Sequence, residues 1–291
     1  MIKTSSKIIL GTAQFGLDYG ISNNDGQVAL NEIKKVLDFA YSSNIRTLDT
    51  AISYGESEKN IGLASTSNFN IISKIPKLDN IKNIDEFIRK QINNSIQKLK
   101  VESLYGLLFH DISIFKSKYG QEAYKIICQL RDEGLIRKIG ISIYDTESSY
   151  EVLDKYDFDI VQAPLNIFDR RILSQEFTEY ANQKNIEIHA RSIFLQGLLL
   201  MNSTKRPKFF EKWNHLFTEY DNYIKEKRIS RLEACIGFVC ARKEVSKIII
   251  GVQNLNQLKE IINISKSNFR SNFPEQIQSF DQKLINPSNW R

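Results

Sequence analysis

Short runs of β-branched and aliphatic residues alternate along this chain with longer segments whose apolar residues recur every three or four positions. The short runs, at 8–13, 47–51, 71–75, 105–110, 136–143, 160–165, 186–192 and 247–252, have the length and composition of strands. The segments between them, at 30–43, 57–65, 84–100, 121–134, 147–154, 174–184, 211–241 and 255–266, read as helices, with 211–241 long enough for two. A last helical stretch is expected at 274–284, ahead of the Asn286-Pro-Ser-Asn-Trp-Arg291 tail. The third helical segment shows the reasons. Its apolar residues at 84, 87, 88, 92, 96 and 99 fall on one face. Asp85 and Glu86 suit the positive end of the helix dipole, and Lys98 and Lys100 the negative end. Gly134 stands where the next helix must give way to a strand, which predicts a left-handed stop there.

Eight strand-then-helix units in succession predict an α/β chain folded as a (β/α)8 barrel, one domain over 1–291. A doubly wound sheet is the alternative. It would call for Gly-x-Gly-x-x-Gly after the first strand, and Gly11-Thr-Ala-Gln-Phe-Gly16 has neither that spacing nor the Gly-Lys of a P-loop. The segment from Met201 to about Ser230 is the one long interruption between strands and is expected to form a lid or extra helix.

Composition adds little to the fold but removes several functions. Of 291 residues, 42% are apolar and 25% charged, enough for a sizeable core. The net charge of +6 is carried by Lys and Arg interleaved with Asp and Glu, with no run of four basic residues. That is a solvated surface, with a modest lean towards an anionic ligand, and no nucleic-acid stripe. Cys128, Cys235 and Cys240 have no His close enough to complete a zinc pattern, so reduced thiols and no metal are expected. Such usage fits a reducing cytoplasm. The apolar run near the N-terminus is too short for a signal peptide, and no stretch approaches membrane-spanning length.

The candidate chemistry sits at the ends of three successive strands: Asp49 and Tyr54 after the second, Lys74 in the third, His110 closing the fourth. Barrel active sites form at the C-terminal ends of strands, so these four residues should meet on one rim. Each has a bland reading: Asp49 as a turn cap, Tyr54 as a packed loop aromatic, His110 as a core histidine. Lys74 is harder to dismiss, because a lysine inside an apolar strand is costly unless paired. Together they compose an acid–base set. A phenol has an unperturbed pKa of about 10; a nearby ammonium should lower it, and a carboxylate should keep that ammonium charged. A histidine beside them can orient a carbonyl. The set predicts proton delivery to a carbonyl oxygen while hydride reaches its carbon.

Three motifs carry a family resemblance. Asp49-Thr-Ala-Ile-Ser-Tyr-Gly55, Ser73-Lys-Ile-Pro76 and Leu107-Leu-Phe-His-Asp111 match, in order and spacing, the catalytic motifs of the aldo-keto reductases, which the chain resembles over nearly its whole length. The resemblance implies Tyr54 as general acid, Asp49 and Lys74 tuning it, and His110 orienting the substrate. It implies NADPH, and sometimes NADH, held extended across the barrel mouth with its 4-pro-R hydride transferred. Ser142 and Gln162 would reach the carboxamide, although Ile143 replaces an expected Asn. Gly11, Thr12 and Asp49 would approach the nicotinamide ribose. Arg191 stands where many members stack a Tyr on the nicotinamide, followed by Ser192 and Phe194. Gly251, Val252, Gln253 and Gln257 would hold the adenosine end, at a helix N-terminus suited to phosphate. Gln253 replaces a basic residue common in NADPH-dependent members, with Lys259 nearby.

The expected partner is a small-molecule carbonyl substrate, sugar-like or anionic, and no nucleic acid or membrane; the protein is expected to be a monomer or weak homo-oligomer. Tyr19, Trp213 and Trp290, with His110, are the candidate substrate contacts. The Gly11-to-Ile21 opening resembles members associated with surface-polysaccharide and sugar metabolism. Two rival readings remain: a cofactor-holding redox-sensing module with negligible turnover, and reduction of a conjugated double bond, for which members replace the His that this chain keeps.

Overall fold

Strands buried on both faces need a partner on each side, and a row of such strands satisfies its last edge only by closing. The computed structural model describes residues 7–23, 25–64, 68–78, 81–267 and 272–290. Its strands are β1 (Ile8–Gly11), β2 (Thr47–Asp49), β3 (Asn70–Ile75), β4 (Leu104–Phe109), β5 (Ile136–Ser142), β6 (Ile160–Pro164), β7 (Glu187–Arg191) and β8 (Lys247–Gly251). They pair in parallel in sequence order, and β8 returns to β1 in the register Leu10↔Ile250 and Gly11↔Gly251, closing the barrel.

The helices outside are α1 (Leu30–Ser42), α2 (Ser57–Ala64), α3 (Ile84–Leu99), α4 (Gly120–Asp132), α5 (Tyr150–Lys155), α6 (Gln175–Gln183), α7 (Asn214–Lys227), α8 (Arg231–Cys240), α9 (Leu255–Lys266) and the single turn α10 (Gln282–Ile285). In α3 the predicted stripe is the buried one, through Ile84, Ile88, Ile92 and Leu99. Asn83 caps it by accepting from the Glu86 amide, and Lys100 ends it in the left-handed region at φ 54°. Gly134 has φ +79°, the stop expected before β5. The long segment 211–241 divides where Arg228 turns left-handed and Ser230 opens α8 with a reciprocal capping box to Glu233.

Apolar residues fill two shells. The larger lies between barrel and helices. A small inner group, Ile9, Ile72, Leu108, Ile160 and Ile249, plugs the barrel interior. One expectation changes. Over 274–284 there is no continuous helix, only a 3-10 turn at Glu275–Ile277 and then α10. Between them the Ser279 amide bonds the Phe168 carbonyl, and Asp281 caps the new turn, so tertiary pairing overrides the local helical tendency. The interruption after β7 is part helix and part 3-10 turns, at Leu198–Leu200, Ser203–Lys205 and Lys208–Trp213, leading into α7. No helix among the described residues is long and apolar enough to cross a membrane.

Candidate active site

Asp49 ends β2 and Lys74 lies near the end of β3, so their side chains meet inside the barrel mouth. Lys74 Nζ is 2.6 Å from Asp49 Oδ1 and donates to the Thr50 carbonyl at 2.8 Å. Only 1% of Lys74 and 3% of Asp49 is exposed. The second carboxylate oxygen accepts from Gln162 Nε2 at 2.8 Å, across the barrel from β6. Charges this deep persist because each is paired and hydrogen-bonded. Behind them, Ser57 donates to the Thr12 carbonyl at 2.8 Å, and the Thr12 hydroxyl donates to the Asp49 carbonyl at 3.0 Å.

The turn carrying Tyr54 is fixed by two glycines packed backbone to backbone. A Cβ on Gly16 would come within 1.9 Å of the Tyr54 carbonyl oxygen, and one on Gly55, which has φ +54°, within 2.4 Å of the Gly16 oxygen. This seats the Tyr54 ring with its centroid 5.1 Å from Lys74 Nζ. The His110 ring meets it edge-on at 5.9 Å between centroids. His110 Nδ1 lies 3.2 Å from Ser53 Oγ on the same turn. The four residues of the predicted acid–base set are therefore brought together, with Lys74 behind Asp49.

Their electrostatics differ from the expectation in one respect. Tyr54 is raised above the ordinary phenol value, first by burial and then by Asp49, while Arg191 acts the other way. The net shift is upward and not the lowering expected from Lys74, whose charge is matched by Asp49 at 2.6 Å. Burial also pulls Lys74 below the usual lysine value, opposed by Asp49. Tyr54 thus rests as the protonated phenol, the form a proton donor needs. His110 is held down to about 4, first by burial and then by Lys74 and Arg191, so its imidazole is neutral at physiological pH.

The His110 shift has a measurable consequence. A base whose folded value lies below its unfolded value of about 6.5 binds more protons when unfolded, so stability falls as pH drops from about 6.5 towards 4. The difference between the unfolding free energies of the native protein and His110→Gln should therefore change by up to about 3 kcal/mol over that window. Denaturant melts at pH 7 and pH 4.5 measure it; a constant difference would rule out the shift.

A cleft of about 1120 Å³ opens above this set, lined by the strand ends and the loops after β1, β5, β7 and β8. It exceeds the roughly 300–1,000 Å³ of ordinary small-molecule pockets, leaving room for an extended ligand beside a substrate. Tyr54, His110, Asp49 and Tyr19 line one end; Lys74 lies buried beneath. Ser142, Gln162, Arg191, Ser192 and Phe194 line the middle with Gly11 and Thr12. Val252, Gln253 and Gln257 line the far end next to Gly251. Gly11 and Gly251 are register partners, and the space above Gly251 is taken by the Gln14 side chain, whose Oε1 a Cβ there would meet at 2.5 Å.

Two expectations do not survive the geometry. Trp213 is outside the cleft and only 5% exposed; its Nε1 donates to Asp281 at 3.0 Å. Trp290 is also outside, packed edge-on against Phe210 at 4.9 Å with its Nε1 donating to the Leu284 carbonyl. Both indoles pin the chain's tail to the segment after β7, where their N–H groups find acceptors. At the start of α9, where phosphate is expected, three amides are engaged by side chains: Leu255 N donates to Glu32 Oε1 at 2.8 Å, Gln257 N to Asn254 Oδ1, and Gln253 N to Gln257 Oε1. The Leu255 amide holds the Glu32 carboxyl below its usual range.

Other contributors carry weaker sequence signals. Asn166 accepts from the Phe168 and Asp169 amides and donates to the Ser192 carbonyl, bracing a loop in which Ser192, Leu195 and Gln196 all have positive φ. Tyr144 lies under Arg191, whose guanidinium is 4.3 Å from the ring centroid. The Ile21 amide bonds the Gln196 carbonyl, tying the β1 loop to the β7 loop. These devices depend on contacts between distant segments.

Comparison with known proteins agrees with this architecture. A model of the aldo/keto reductase family matches residues 7–282. An uncharacterized oxidoreductase of Bacillus subtilis is 24% identical over 86% of this chain and 86% of its own length. D-arabinose 1-dehydrogenase of Saccharomyces cerevisiae is 23% identical over 96% and 90%. NADH-specific methylglyoxal reductase of Escherichia coli is 25% identical over 69% and 68%. Among solved structures, an aldo-keto reductase of Bacillus halodurans in its holo form superposes with a TM-score of 0.72 at 16% identity, covering 91% of this chain and 88% of that one.

Proposed function

The chain belongs to the aldo/keto reductase family, and we propose that it reduces the carbonyl of an aldehyde or ketone to an alcohol at the Tyr54 end of its cleft. Family membership and the oxidoreductase relatives make it an oxidoreductase of the nicotinamide-dependent kind. The observation that carries the proposal is the junction of Tyr54, His110 and the buried Lys74–Asp49 pair at one end of the cleft.

When bound, the nicotinamide supplies hydride to the carbonyl carbon. The chain's own groups handle the oxygen. Neutral His110 and the Tyr54 hydroxyl can both direct a hydrogen bond at it, and Tyr54 donates its proton as negative charge develops there. The Lys74–Asp49 pair holds a rigid polar wall beside the phenol, and Arg191 favours the phenolate left behind. Tyr54 then regains a proton from solvent in the cleft. The relatives' names, an arabinose dehydrogenase and a methylglyoxal reductase, favour short or sugar-like carbonyl substrates.

The residues at the far end favour NADH over the NADPH that the resemblance implies. A 2′-phosphate requires a cation. Gln253 is neutral there, and Lys259 is drawn over the Phe39 ring of α1 at 5.7 Å. Glu260 lines the same end, and Glu32 already caps α9. A carboxylate beside a ribose suits its hydroxyls and repels phosphate. Fluorescence titration and steady-state reduction of methylglyoxal and aldoses should give kcat/KM at least about tenfold higher with NADH, a difference of roughly 1.4 kcal/mol. Equal or reversed preference would refute the cofactor assignment. Tight binding without turnover on any carbonyl would refute the reductase reading in favour of a cofactor-holding regulatory module.

A further inference from the structure

The reacting end of the cleft carries more positive charge than its acid–base set uses. Asp49 and Lys74 offset each other at 2.6 Å. Arg191, at the C-terminal end of β7, has no such counterpart. Its Nη2 donates to the Ile143 carbonyl at 3.1 Å and its Nη1 to Ser192 Oγ at 3.2 Å, both neutral acceptors. Among the described residues no carboxylate forms an ion pair with it. The other guanidinium lining the cleft, Arg231, is paired with Asp221 at 2.6 Å. The remaining lining carboxylates, Asp25 and Glu260, stand on the exposed β1–α1 loop and on α9.

The position of Arg191 is also fixed. Its guanidinium lies 4.3 Å from the Tyr144 ring centroid, and two of its five N–H groups are engaged. The rest of a planar donor fork faces a half-open cleft, the arrangement that binds carboxylate or phosphate with two parallel hydrogen bonds. Its charge is felt at Tyr54, His110 and Lys74, which puts it within reach of a small molecule whose carbonyl lies on Tyr54.

We propose that Arg191, positioned by Tyr144, determines specificity in this cleft by binding an oxyanion, carboxylate or phosphate, carried by the carbonyl substrate. The inference rests on the reductase reading. It excludes the other use of the same charge, neutralising the cofactor's pyrophosphate.

Matched pairs test it with NADH as reductant: succinic semialdehyde against butyraldehyde, and glyceraldehyde 3-phosphate against glyceraldehyde. The native protein should favour the anionic member of at least one pair by about tenfold or more in kcat/KM, mostly through KM, and the favoured pair identifies the anion. Arg191→Gln should collapse that ratio, and Arg191→Lys should restore part of it. NADH affinity, read by fluorescence, should change far less than the ratio. If Arg191→Gln slows both members of each pair equally and weakens NADH binding, Arg191 serves the cofactor and the proposal is overturned. Titration of the NADH-loaded protein with succinate and with inorganic phosphate keeps the test independent of turnover. Binding to the native protein and not to Arg191→Gln supports the anion site even if no carbonyl is reduced; no binding of either anion, with no preference within the pairs, sinks it.

Discussion

Tyr54→Phe is expected to lower kcat by about 10²–10⁴-fold while leaving cofactor affinity within about twofold. The substitution removes one oxygen and keeps the ring. The packing against His110 at 5.9 Å and beside Lys74 at 5.1 Å is therefore retained, and the loss reports the proton alone. Tyr54 stays protonated because burial and Asp49 both oppose the phenolate, so the native protein arrives at the reaction with its proton in place. Neither His110 nor Lys74 fits the donor's role. His110 is neutral and held near 4, and Lys74 has its ammonium committed to Asp49 and the Thr50 carbonyl. Single-turnover oxidation of bound NADH, followed by absorbance, separates the chemical step from product release. A rate within about tenfold of the native one would mean that the proton comes from elsewhere.

Lys74→Met should produce the largest loss of stability of any single change at the site, about 3–5 kcal/mol. The methionine fills a similar volume, but it leaves the Asp49 carboxylate, 3% exposed, with only Gln162 to satisfy it. The effect comes from the abandoned charge, more than from the worth of the pair itself. The double variant Asp49→Asn/Lys74→Met, which buries no charge, should therefore recover most of the loss in denaturant melts. Activity should fall in both variants, because the polar wall beside Tyr54 is gone. If Lys74→Met unfolds within about 1 kcal/mol of the native protein, or the double variant is no better, the pair is not the buried, interdependent unit described.

The two experiments separate two properties of the same few residues. One asks which atom supplies the proton; the other asks what holds that atom's surroundings together. Arg191 joins them, since it opposes the upward shift of Tyr54 and lowers His110 without belonging to the buried pair.

Much of this molecule was legible in the chain because its signals are local. Strand runs and amphipathic segments repeat in fixed order, and each needs only its neighbours to be recognised. The closing pair β1–β8 follows once eight such units are counted. The acid–base residues were legible for the same reason: each lies within a few positions of a strand's end, and the barrel brings those ends together. Where the signal was not local, the sequence misled. Trp213 and Trp290 are as apolar and rare as pocket residues tend to be, yet the acceptors that claim their indole N–H groups, Asp281 and the Leu284 carbonyl, lie on the returning tail. The helix expected over 274–284 broke because the Phe168 carbonyl takes the Ser279 amide.

By itself the sequence determined the architecture and pointed to the reacting groups proposed here, because periodicity and strand ends are properties of neighbouring residues. The tertiary structure alone decided their electrostatic state. It buried Tyr54 beside Asp49, so that the phenol is held protonated; it gave Glu32 the start of α9; and it left Arg191 facing the cleft over Tyr144 without an acidic partner among the described residues. Charge and desolvation depend on distance through space and on exclusion of water, and neither is written in the order of residues.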